Sequence, residues 1–167
     1  MVQEQGHTNV TLSSNQAKML LNWNVVHESG DSGPSVVGLI SLPGMGKLLA
    51  ETRLVPESEK QAVLHGAQKG VLQGVPSDLL SDVISAFMSN RDTENLSSLI
   101  TFIFSHRSAT PGLKQKVFCA FWDHTPDGYG YWSTTGCRMV TTGDTSTTCQ
   151  CTHLSSFAVL LAHCDVQ

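Results

Sequence analysis

Short runs of alternating apolar and polar residues make up most of this chain, and Gly, Pro, Asn, Asp and Ser bound them. Leu21, Trp23 and Val25 alternate with Asn22 and Asn24, which predicts a half-buried strand within Met19–Val26. A turn at Ser29–Pro34 leads to a second strand at Val36–Ile40. Pro43-Gly44-Met45-Gly46 breaks the chain, and Lys47–Ala50 is read as one helical turn. Glu59–Gln73 is divided between helix and strand signals, and so is Val75–Leu80. Val83–Met88 and Leu99–Phe104 are rich in β-branched and aromatic residues and read as strands, joined by the polar loop Arg91–Asn95. Lys116–Trp122 is another strand, Gly128-Tyr129-Gly130 a turn, and Thr142–Ser146 the tip of a hairpin. No long amphipathic helix and no internal repeat is visible. The expected fold is mainly β: a twisted β-sandwich of many short strands with one or two short helices. Residues 1–18 are expected to be a loose N-terminal segment, and 19–167 a single domain.

Composition narrows the classes. At 167 residues the chain has room for one domain with a real core. The net charge of -4 is spread out, with no basic stripe, which argues against nucleic acid as a partner. The longest apolar run, Phe157–Ala162, is far short of the roughly 18 residues needed to span a bilayer. The first residues have neither a basic start nor an apolar core, so no signal peptide is expected there. The cysteines are crowded between Cys119 and Cys164, and there are two N-x-[ST] sequons, Asn9-Val10-Thr11 and Asn95-Leu96-Ser97. Together they favour an oxidising extracellular setting, with glycosylation at Asn9 and Asn95, and a chain that is a segment of a longer secreted or membrane protein.

Cys149 and Cys151 are two apart, so on a strand they share a face and are poorly placed to bridge each other. They are well placed to bridge Cys119 and Cys137, and nested and crossed pairings both remain open. Zinc held by Cys149, Cys151 and His153 is the competing use, but C-x-C-x-H lacks the C-x(2–4)-C knuckle. His7, His27, His65, His106, His124 and His163 show no ligand spacing, so neither metal nor cofactor is expected. Cys164 is left without a partner in this scheme.

Directly after the cysteines stands His153-Leu154-Ser155. On an extended chain His153 and Ser155 share a face. The imidazole can take the hydroxyl proton of Ser155, and Oγ can attack the carbonyl carbon of Leu154. That is an N-to-O acyl shift, and hydrolysis of the ester then cuts the chain. A positioned base contributes about 10²–10⁴-fold. A distorted peptide and donors for the oxyanion must supply the rest.

The surroundings of this tripeptide are specific: Cys119-Ala120-Phe121-Trp122, then Gly130-Tyr131-Trp132-Ser133-Thr134-Thr135-Gly136-Cys137, then Cys149-Gln150-Cys151-Thr152-His153-Leu154-Ser155-Ser156-Phe157-Ala158-Val159-Leu160. This stretch resembles the proteolysis-site (GPS) motif that ends the autoproteolysis-inducing (GAIN) domain of adhesion G-protein-coupled receptors. The segment from Leu20 to Val166 is similar to the EGF-module-containing, mucin-like hormone receptor subfamily of leukocytes. The resemblance implies an extracellular β-sandwich of the GAIN subdomain B type. Its motif would occupy 116–161, and it would cut itself between Leu154 and Ser155. It implies bridges Cys119–Cys149 and Cys137–Cys151. It also implies a tethered agonist beginning Ser155, Ser156, Phe157, Ala158, Val159, Leu160, Leu161 within 155–167. The partners implied are the chain's own cleaved C-terminal strand and, in the full receptor, a seven-helix membrane bundle and N-terminal EGF-like modules. No small-molecule substrate is implied. The implied location is the extracellular face of the plasma membrane.

Three positions depart from the pattern: Leu161 where methionine is frequent, Cys164 where tyrosine is usual, and Ser155 where threonine also occurs. Phe157, Val159 and Leu161 alternate, yet Ala158 and Leu160 are apolar too, which predicts a strand buried on both faces. Trp122 and Trp132 are expected to pack over the bridges, and Trp23 in the core. The alternative to self-cleavage is a structural or adhesion module that carries the motif uncut; the motif also occurs in polycystin-like membrane proteins. An ordinary hydrolase is disfavoured, since no G-x-S-x-G elbow is present.

Overall fold

A computed structural model describes residues 9–26, 35–49, 52–55, 74–89 and 93–163. The turn expected at Ser29–Pro34, the ambiguous segment Glu59–Gln73, and Cys164 lie outside the described residues. The elements in chain order are β1 (Asn9–Ser14), β2 (Ala17–Asn22), α1 (Trp23–Val26), β3 (Val37–Leu42), α2 (Met45–Leu48), β4 (Arg53–Val55), β5 (Val75–Leu79) and β6 (Val83–Met88). Then follow β7 (Ile100–Ser105), β8 (Gln115–His124), β9 (Gly130–Ser133), β10 (Cys137–Thr142), β11 (Ser146–Cys151) and β12 (Ser156–His163). The fold of the described residues is mainly β with two short helices, as the sequence predicts. Among the described residues no helix is long and apolar enough to cross a membrane.

Two expectations of secondary structure are corrected. From Asn9 onward the segment expected to be loose is strand: β1 pairs antiparallel with β2, Ser14 opposite Ala17. Its polar Asn9, Thr11 and Ser13 are the solvent face of a period-2 pattern whose other face buries Val10 and Leu12. The strand expected across Met19–Val26 stops at Asn22, and Trp23–Val26 turns into a helix. The Asn22 side-chain oxygen accepts the Asn24 N–H at 2.9 Å, a local bond that competes with the ladder. Val25 and Val26 are still buried, so the apolar alternation marked burial but not strand.

Five strands form one sheet in the order β1-β2-β7-β11-β10. Seven form the other, β3-β6-β12-β5-β4-β9-β8, in which β8 also pairs with β12. That extra pairing closes β12, β5, β4, β9 and β8 into a ring. β12 therefore lies between neighbours on both edges. One edge runs along β8 from Phe157 to His163. The other meets β6 at Ser156 and Phe157, then β5 from Leu160 to Ala162. At the change of partner, the Ser81 hydroxyl accepts the Val159 N–H at 2.8 Å and the Leu80 N–H donates to the Val159 carbonyl at 2.9 Å. No backbone polar group of Val159 is left unpaired there.

Both faces of β12 are buried as well, which its sequence pattern predicts. Phe157, Val159 and Leu161 face the five-stranded sheet, packing with Met19, Ile100, Phe102 and Phe104. Ala158, Leu160 and Ala162 face into the ring with Leu54, Ala120 and Trp132. Here the expected position of the tryptophans is corrected. Trp122 and Trp132 meet edge to face at 5.3 Å in the ring, away from the bridges. The reason is parity: Trp122 and Cys119 are three apart on β8 and point to opposite sides of the sheet. Trp23 packs against the main core. Gly130 makes room for the Trp122 ring, which a Cβ there would strike.

The ring interior has room for its large indole because Ala158 and Ala120, directly opposite in register, are small. Ala158→Leu should therefore lower stability by about 1–3 kcal/mol, read as a shifted urea midpoint. An unchanged midpoint would show that the ring can dilate.

Tyr131 supplies a second test. It is buried, and its hydroxyl donates to Asp123 Oδ2 at 3.2 Å. Burial, followed by the charge of Asp123 and this bond, pushes the phenol from 10.0 up to about 12. The folded value lies above the ordinary one. The neutral phenol therefore stabilises the fold fully below pH 10, and that contribution is lost as pH rises through about 12. A urea series from pH 9 to 12 should show this loss, and Tyr131→Phe should flatten it.

Candidate functional site

The two cysteine bridges join the strands that lead into the candidate site. Cys119 on β8 is bridged to Cys149 on β11, tying the two sheets together. Cys137 on β10 is bridged to Cys151 on β11, its direct partner in register. From their loop lengths these bridges contribute about 3.6 and 3 kcal/mol respectively. The sulfurs of Cys149 and Cys151 are thus in disulfides, which rules them out as zinc ligands. Among the described residues no group of three His, Cys, Asp or Glu could hold a metal ion.

β11 ends at Cys151 in one sheet and β12 begins at Ser156 in the other. Thr152, His153, Leu154 and Ser155 make the crossing. It is pinned along its length: Thr152 N–H to the Gly136 carbonyl at 2.9 Å, Leu96 N–H to the Thr152 carbonyl at 2.8 Å, Leu154 N–H to the Thr93 carbonyl at 2.9 Å, and Ala86 N–H to the Ser155 carbonyl at 3.0 Å. The Leu154–Ser155 peptide is thereby held between a disulfide four residues upstream of Ser155 and a strand buried on both faces.

The His153 ring is half-buried. It meets the Phe121 ring edge-on at 4.2 Å and lies nearly parallel to Phe157 at 5.9 Å. Its Nε2 lies 3.0 Å from the Thr135 carbonyl oxygen and 4.0 Å from Cys137 Sγ. Ser155 is half-buried too, and its hydroxyl donates to the Trp122 carbonyl at 3.3 Å. In the intact chain, then, His153 and Ser155 are each hydrogen-bonded to a main-chain carbonyl rather than to each other.

Of the other residues singled out, Ser156 donates to Ser85 Oγ at 3.3 Å, and Phe157 through Leu161 build β12. Asn9 and Asn95 are exposed. Asn95 sits between Thr93 and Leu96, two of the four residues whose main chain bonds the crossing. From sequence, Thr93 stands only in a polar loop, and Phe121, Thr135 and Gly136 stand within the motif without a role of their own. Only Gly136 left a readable signal, a glycine after two threonines that marks a turn.

Comparison with known proteins gives a match to the family described as "GPS: GAIN subdomain B" over residues 2–164. Among related proteins, Adhesion G protein-coupled receptor E2 of Canis lupus familiaris is 73% identical over 166 residues, covering 99% of this chain and 20% of that protein. The E2 receptor of Homo sapiens is 63% identical over the same length, with the same coverage. Adhesion G protein-coupled receptor E5 of Homo sapiens is 41% identical over 181 residues, covering 100% of this chain and 22% of that protein. The chain thus spans about a fifth of the length of these relatives.

Proposed function

Since this chain belongs to the GAIN subdomain B family of adhesion G protein-coupled receptors, we propose that it is the extracellular, juxtamembrane domain of such a receptor and cuts itself between Leu154 and Ser155. His153 takes the Ser155 hydroxyl proton, and Oγ bonds to the Leu154 carbonyl carbon. The C–N bond breaks as the proton passes to the Ser155 nitrogen. The chain is then joined by an ester and carries a free amine at Ser155. Water hydrolyses the ester, leaving a carboxylate at Leu154. Hydrolysis restores the Ser155 hydroxyl, but the one bond it attacks is gone, so the reaction runs once per molecule.

The observation that carries this reading is the crossing itself: a His-Leu-Ser segment pinned on both sides by main-chain hydrogen bonds and followed by a strand enclosed on both edges and both faces. That enclosure supports continued association of the two pieces after the cut. It also supports a withheld role for Ser155–Leu161, the tethered agonist that a seven-helix bundle would receive once it is freed. The EGF-like modules and the bundle belong to the remainder of such a receptor. The exposed Asn9 and Asn95 are proposed glycosylation sites.

One observation favours a second reading, a structural module that stays whole: the Ser155 hydroxyl is engaged with the Trp122 carbonyl instead of His153. Mass measurement under denaturing conditions separates the two. The first reading expects a fragment ending at Leu154 and the peptide Ser155–Gln167. A single mass of 18.0 kDa supports the second.

A further inference from the structure

We propose that the main-chain carbonyl of Thr135, aimed by Gly136, is the positioning group that prepares His153 as a base, fixing its proton on Nε2 and leaving the lone pair of Nδ1 for Ser155. The inference rests on self-cleavage at Leu154–Ser155 and specifies how that site is set.

The chemistry around Nε2 decides the tautomer. Among the described residues its two polar neighbours are the Thr135 carbonyl oxygen at 3.0 Å and Cys137 Sγ at 4.0 Å. A carbonyl oxygen can only accept. Cys137 is in a disulfide and has no S–H to give. Among the described residues nothing at Nε2 can donate, so Nε2 carries the hydrogen and donates it. A neutral ring then has its acceptor at Nδ1, and among the described residues no hydrogen bond occupies that atom. The arrangement has the logic of a base oriented by a third group, with a peptide carbonyl in the orienting place.

Gly136 aims that carbonyl. The Cys137 N–H bonds the Thr134 carbonyl at 3.1 Å, closing a four-residue turn with Gly136 third. Gly136 has φ of 77°, the signature of a type II turn at that position. In a type I turn the Thr135–Gly136 peptide plane is turned over, and its oxygen points the other way. Space demands glycine too: a Cβ on Gly136 would lie 2.8 Å from His153 Cδ2 and 2.8 Å from Thr152 Oγ1. The turn is braced against the crossing by the Cys137–Cys151 bridge and by Thr152, whose N–H and hydroxyl both donate to the Gly136 carbonyl, at 2.9 and 3.3 Å. Buried Ser133 steadies its start, its Oγ accepting the Thr135 N–H at 3.3 Å.

During the reaction the Ser155 proton goes to Nδ1. The ring becomes a cation whose Nε2–H still donates to the Thr135 oxygen, and Nδ1 returns the proton to the Ser155 nitrogen as the C–N bond breaks.

The direct test is long-range ¹H–¹⁵N correlation of the histidine rings in Ser155→Ala, which keeps the chain whole with Gly136 in place. The expected result is a hydrogen on Nε2 of His153 and an unprotonated Nδ1. A His153 ring with its hydrogen on Nδ1 overturns the proposal whether or not the protein cuts. The second test is the rate of cutting in Gly136→Ala, which should fall about 10²-fold as the ring is displaced. In the Ser155→Ala background the same change should mix the two tautomers, which a loss of stability alone does not do. If Gly136→Ala cuts at the unmodified rate while His153→Ala does not cut, the carbonyl's role fails and the base's role stands. If His153→Ala cuts normally, the reading of the site itself fails.

Discussion

Ser155→Ala should run as a single chain of 18.0 kDa on a denaturing gel, whereas the unmodified protein should give a fragment ending at Leu154 and the peptide Ser155–Gln167. The effect is all or none, because the hydroxyl is the only atom that can form the ester. His153→Ala should slow the cut about 10²–10⁴-fold, the usual worth of a positioned base. Ser155→Thr should keep it, since the hydroxyl survives. The fold should outlast Ser155→Ala: the 3.3 Å bond to the Trp122 carbonyl is what is lost, about 1 kcal/mol. His153→Ala also removes the edge contact with Phe121, so its circular dichroism needs to match the parent before its rate is read. Cleavage of Ser155→Ala at Leu154 would overturn the assignment of the nucleophile.

Strand legibility followed a physical rule. β6, β7 and β8 could be read because β-branched and aromatic residues are concentrated there and each strand has at least one face in a core. β12 could be read as doubly buried because Ala158 and Leu160 interrupt the alternation that a half-exposed strand would show. β1 was hidden because only Val10 and Leu12 mark its inner face, among Asn, Thr and Ser. α1 was hidden because burial of Val25 and Val26 continues the apolar pattern of β2 while an Asn22 side chain ends the ladder. The closure of the ring rests on long-range pairings, β4 with β9 and β12 with β8, that no local pattern encodes.

The site divides in the same way. Adjacency put His153, Leu154 and Ser155 together in any conformation. The groups around them are main-chain carbonyls of Thr93, Trp122 and Thr135, and every residue type carries a carbonyl. Their directions come from the turn at Gly136 and from the register of the strands, so side-chain identities could not have pointed to them. The enclosed strand β12 bears on the proposed function for the same structural reason. What keeps the chain folded before a cut is what keeps two chains together after it.

Phe157→Ala should show that equivalence. Phe157 is buried, its ring centroid 4.5 Å from that of Phe102 on β7, and it pairs with Ile84 of β6 on one edge and Phe121 of β8 on the other. Removing the ring leaves a hole between the sheets that the close-packed neighbours fill only in part, at a cost of about 3–5 kcal/mol. In an uncut chain, made by adding Ser155→Ala, the loss appears as a lower urea midpoint. In the cut protein it falls on a contact between separate chains, where each 1.4 kcal/mol is about tenfold. The peptide Ser155–Gln167 should then leave about 10²–10³ times faster, since such losses are expressed mainly in dissociation. Gel filtration followed by mass measurement of the retained peptide reads the rate, once a denaturing gel has shown that the variant still cuts. Val159→Ala, one alternation further from His153 on the same face of β12, should release the peptide faster too, by a smaller factor. A cut protein that loses its peptide no faster in either variant would show that something other than the core between the sheets holds β12.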